Sequence, residues 1–93
     1  MNVQTNSILN LSSEVQGLID ELHKRAPDDR TFDQVGIINS HTIIRDYVDN
    51  NEIGVAVEHL LYVITESNIE FPEKKKAAVV AAAKDLGIKV KSL

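Results

Sequence analysis

The chain has 93 residues, 43% of them hydrophobic, no cysteine, and a formal net charge of −4 at pH 7. That length is expected to make one domain with a core near the size at which burial only just offsets chain entropy. Missing cysteine excludes disulfides and thiolate metal sites and is compatible with a reducing cytoplasm; no run of about 18 apolar residues and no basic-then-apolar leader in MNVQTNSILNL occur, so neither a membrane span nor a signal peptide is expected.

Only four residues are aromatic, Phe32, Tyr47, Tyr62 and Phe71, so the core must be built from Leu, Ile, Val and Ala. Such a core suits closely packed helices. The spacing predicts a first helix over 7–25, because Ile8, Leu11, Val15, Leu18, Ile19 and Leu22 fall on one stripe while Glu14, Asp20, Glu21 and Lys24 fall away from it. Lys24 and Arg25 suit the negative end of a helix, and Ala26-Pro27 ends it, since a residue before proline is pushed out of the helical region. Thr31-Phe32-Asp33-Gln34 then reads as a capping box opening a second helix over 32–49. Its broad apolar face (Phe32, Ile37, Ile43, Ile44, Tyr47, Val48) is centred on Gly36 and Ser40, small enough to let a neighbouring helix come close, and Val35 and Ile38 are left outside it.

Asp49-Asn50-Asn51 closes that helix and opens the next, because short amide and carboxylate side chains tolerate left-handed backbone and can cap a first turn. The third helix, 52–67, places Ile53, Ala56, Val57, Leu60, Leu61 and Ile64 on one face and Glu52, Val55, Glu58, His59, Tyr62 and Glu66 on the other. A short extended connector, Ile69-Glu70-Phe71, leads through Pro72 into an alanine-rich fourth helix, 72–86, with a slim stripe of Val79, Ala83 and Leu86, a C-terminal Gly87 and its apolar follower Ile88. The expected fold is therefore an all-α bundle of about four helices in a single domain, 1–93, with 89–93 a loose tail.

Charge is unevenly placed. Residues 27–71 hold nine acids against Arg30 and Arg45, whereas 72–93 hold six lysines against Glu73 and Asp85. An acidic middle orients a basic partner and repels nucleic acid, although acids also simply keep a small domain in solution. His23, His41 and His59 fall on three helices without metal-ligand spacing, and no nucleophile elbow, phosphate loop or Ser-x-x-Lys pattern occurs, so neither an enzyme nor a metal or cofactor site is expected. Lys74-Lys75-Lys76 reads as a solvated helix end rather than a nucleic-acid patch. The best candidate surface is the outward side of the third helix, where Val55 and Tyr62 stand among carboxylates; the competing reading buries Tyr62 in the core.

The run Tyr47-x4-Glu52-x3-Ala56-x-Glu58-x-Leu60, followed by Ile64, Glu66, Ile69 and Leu86-Gly87-Ile88, resembles the small helical immunity proteins of the MafI type. Their relatives are encoded beside polymorphic and contact-dependent growth-inhibition toxins. The likeness spans about residues 40–88, and residues 1–39 carry nothing diagnostic. It implies a cytoplasmic, stoichiometric antidote whose partner is a cognate toxin domain, often a nuclease with a basic cleft, and not a nucleic acid or a membrane. Asp46, Asp49, Glu52, Val55, Glu58, His59, Tyr62 and Glu66 are the toxin-binding residues it implies here. The alternative is a helical adaptor or regulatory domain that binds another cellular protein or itself, with Val35 and Ile38 as a homodimer contact.

Overall fold

The first helix, α1, runs over Val3–Arg25 in the computed structural model, which describes residues 3–67 and 69–90. Its apolar stripe faces inward as expected: Ile8, Val15 and Ile19 are fully buried, and Leu11, Leu18 and Leu22 pack partly against them. One polar side chain shares that burial, Ser12. The amide of Ala26 still donates to Leu22 at 2.8 Å before Pro27 takes the chain away.

The stretch expected as one helix over 32–49 is divided. A single 3-10 turn covers Arg30–Asp33, irregular turns follow, and the second helix, α2, spans only Ser40–Asp49. The break falls at Gly36, whose φ of +83° lies in the left-handed region, which no α-helix can include. The capping box is not formed either. Asp29 caps the 3-10 turn instead, its Oδ1 accepting from the Thr31 amide at 2.9 Å, while the Gln34 side chain reaches toward Tyr62. Phe32 and Ile37 are nonetheless buried, so the apolar positions serve the core from a looped path.

That path is fastened to α1 by Gln16. Its Oε1 accepts from the His41 amide at 2.9 Å and from Ser40 Oγ at 3.2 Å, and its Nε2 donates to the Ile38 carbonyl at 2.7 Å. A hydrogen bond of 2.8 Å joins Ser12 Oγ to His41 Nδ1 one turn earlier along α1. The Gln16 carboxamide thereby satisfies the His41 amide, one of those that a helix start leaves without an intrahelical partner.

The third helix, α3, covers Ile53–Glu66, and the turn before it is a Schellman closure of α2. Asn51 adopts φ +64°, its amide donates to Val48 at 3.0 Å, and the Glu52 amide donates back to Tyr47 at 2.8 Å. No side chain caps the start of α3, so the polar triplet ends one helix without capping the next. Ala56, Val57, Leu60 and Ile64 are buried as expected, and Val63 joins them. The fourth helix, α4, spans Glu73–Asp85 and ends the same way, with Gly87 at φ +75° and Ile88 donating to Ala83 at 2.9 Å. Helix α1 packs against the other three, and α3 lies between α2 and α4. Of the expected tail, Lys89 is exposed and Val90 packs partly on the core, while residues 91–93, like Asn68, lie outside the described residues. Among the described residues no strand occurs and no helix is long and apolar enough to cross a membrane.

Candidate interaction surface on the third helix

With Val57, Leu60 and Ile64 turned inward, the 3.6-residue repeat places Val55, Glu58, Tyr62 and Glu66 along the opposite side of α3. Glu52, Glu58 and Glu66 are exposed and Val55 keeps 41% of its surface. Two flanks bound this ridge, the loop around Gly36 on one side and the chain after α4 on the other.

The first flank is held by side chains of the ridge. His59 is half-buried and its Nε2 donates to the Gly36 carbonyl at 3.0 Å, which sets the protonated nitrogen because a carbonyl can only accept. Tyr62 is also half-buried; its hydroxyl lies 3.2 Å from Gln34 Oε1 and 3.3 Å from the Val35 carbonyl and shares its proton between them. The rings of Tyr47, His59 and Tyr62 form a row with centroid separations of 6.5 and 5.5 Å. A Cβ added to Gly36 would stand 2.7 Å from His59 Cε1, so any other residue here would have to displace the imidazole. The loop leaves Val35 89% exposed and Ile38 43% exposed.

On the second flank a groove of about 410 Å³ separates α3 from Ile88–Val90. Leu61, Ile88 and Val90 give it apolar walls, and Glu58, Tyr62 and Glu66 line its outer side. Tyr62 thus has one part in the loop contact and another on the groove, so neither a free surface anchor nor a core residue describes it.

The eight sequence-derived residues do not form one patch. Glu58, Tyr62 and Glu66 meet at the groove, His59 stacks beside Tyr62, and Val55 and Glu52 continue the ridge toward its N-terminal end. Asp46 and Asp49 are exposed on α2, and neither lines the groove. The ion pairs among the described residues are Lys75–Glu14 at 2.8 Å and Lys76–Glu73 at 3.5 Å, so none of the five acids of the surface is engaged in one. The groove walls Leu61, Ile88 and Val90 and the loop residues Gln34 and Gly36 were not among the expected site residues. Gly87-Ile88 was legible as a helix end, but its position against α3 depends on how α4 packs.

A comparison with family models, curated proteins and solved structures finds no match.

The three histidines take separate partners. His41 bonds Ser12, His59 bonds Gly36, and His23 packs tilted against Phe32 with ring centroids 4.7 Å apart. No cluster of three or more His, Cys, Asp or Glu side chains suited to a metal is found among the described residues. Of the three consecutive lysines, Lys75 and Lys76 are half-buried and paired to glutamates, and Lys74 is exposed.

Proposed function

We propose that this protein is an immunity protein, a stoichiometric antidote that binds a cognate bacterial toxin domain through the acidic outward side of α3. The observation that carries the reading is a row of exposed carboxylates, Glu52, Glu58 and Glu66, none of them in an ion pair among the described residues, around the partly exposed Val55 and the tethered Tyr62. Carboxylates of this kind pair with the lysines and arginines of a nuclease cleft in place of substrate phosphates, and a tyrosine already held by its hydroxyl loses little entropy when it is covered. The likeness of the Tyr47–Leu60 run to MafI-type immunity proteins supports the same partner. The site of action is the cytoplasm, where no catalytic step is required of the antidote.

The test is rescue. Cytoplasmic production of the protein is expected to protect cells from the toxic domain encoded beside it and not from a mismatched toxin, with a one-to-one complex on copurification. Tyr62→Ala combined with charge reversal at Glu52 and Glu66 is expected to abolish protection while the far-ultraviolet helical signal is kept. Rescue by that triple variant equal to the parent would remove this face from the reading.

A second reading has its own observation. Val35 and Ile38 project from a loop that is otherwise well tied down, a combination that suits a homodimer or an adaptor contact. Concentration-dependent self-association abolished by Val35→Ser, without any toxin complex, would favour it.

A further inference from the structure

The groove between α3 and the segment after α4 has a composition that selects its occupant. Its walls are aliphatic, Leu61, Ile88 and Val90, while its outer edge carries Glu58 and Glu66 with Tyr62 midway, one helical turn from each. A wholly apolar guest would leave both exposed carboxylates at the rim unpaired, and an anion would be repelled. A side chain with an aliphatic stem and a cationic head satisfies both parts of the lining.

The geometry points to arginine side chains of a basic protein partner as the occupants of this groove. The planar guanidinium pairs with a carboxylate through two parallel hydrogen bonds and stacks on a tyrosine ring, which a lysine ammonium cannot do equally well. Glu58 and Glu66 are eight residues apart, about 12 Å along the helix axis. Two arginines four residues apart in an extended segment span about 13 Å, which matches that spacing. Lys89 also lines the groove and opposes a cationic guest, so it tunes the affinity rather than providing it. The inference rests on the antidote reading for the nature of the partner, a basic protein, and names what that partner inserts.

An amide chemical-shift titration with a capped pentapeptide bearing arginine at both ends and alanine between tests it without any toxin. Saturable shifts confined to residues 58–66 and 88–90 are expected, with affinity falling about tenfold for Glu58→Gln or Glu66→Gln. Lys89→Gln is expected to raise affinity several-fold, and the peptide with citrulline, the neutral isostere, to lose binding. Absence of saturable shifts, shifts spread equally over Asp46 and Asp49, or equal binding of the citrulline peptide overturns the proposal. Toxin rescue without groove shifts removes the groove and leaves the antidote reading, whereas groove shifts without rescue do the reverse.

Discussion

Gly36 and Gln16 show how much of this structure depends on single side chains that composition does not single out. Gly36 combines a left-handed backbone with an imidazole 2.7 Å from where its Cβ would stand, whereas Gly87 has the same backbone region and open space around it. Gly36→Ala is therefore expected to cost about 2–4 kcal/mol and Gly87→Ala only about 1 kcal/mol, a difference read from urea unfolding midpoints at unchanged slope. Equal losses would show that the imidazole gives way without cost. Gln16 both accepts and donates across the α1–loop contact, and it donates to Asp20 as well, at 2.9 Å. A carboxylate has no N–H to give. Gln16→Glu is expected to destabilise by about 1–3 kcal/mol, because the Ile38 carbonyl loses its donor and Asp20 gains a like charge. The small residues at 36 and 40 do not share one helix face as their spacing suggested: Gly36 lies in a loop against His59, and Ser40 is buried at the start of α2.

The elements end by the same device twice. Both α2 and α4 close with a left-handed residue and a six-to-one hydrogen bond, the first on Asn51 and the second on Gly87. Asparagine tolerates that conformation with a smaller penalty than other side chains, and glycine has none. Asn51→Gly is accordingly expected to leave the thermal midpoint near its starting value, while Asn51→Ala lowers stability by about 1 kcal/mol, measured by thermal unfolding. Helix α4 is different from the others. Its alanines favour helix by intrinsic propensity, and it buries only Val79 and Ala83 fully, so it depends less on tertiary contact than α3, whose apolar run is the centre of the core.

At the scale of the whole molecule, α3 has two duties. Its inner side, with Ala56, Val57, Leu60, Val63 and Ile64, is shared by the helices around it, and its outer side carries the candidate surface. Leu60→Ala is expected to remove about 2–5 kcal/mol, a large share of the roughly 5–15 kcal/mol that a domain of this kind possesses, seen as a fall in the denaturation midpoint. The exposed carboxylates act at longer range. If they steer a basic toxin, the association rate is expected to fall at least about tenfold as ionic strength rises from low to several-fold physiological, with the dissociation rate changed much less. A rate independent of salt would contradict steering.

The amino-acid sequence by itself determined the helical class, the inward stripes of α1, α3 and α4, the polar turn at 49–51 and the closure at Gly87, because each depends on periodicity or on backbone preference within a few residues. Only the tertiary structure decided the course of residues 30–39 and the surroundings of Tyr62. There the local pattern admitted a continuous helix, and contacts distant in sequence overrode it: Gln16 from α1, and His59 and Tyr62 from α3. The groove is a tertiary product for the same reason, since Ile88 and Val90 meet Glu58 and Tyr62 only after α4 has packed. Periodicity states which residues share a face; what stands opposite that face is settled by the packing of elements far apart along the chain.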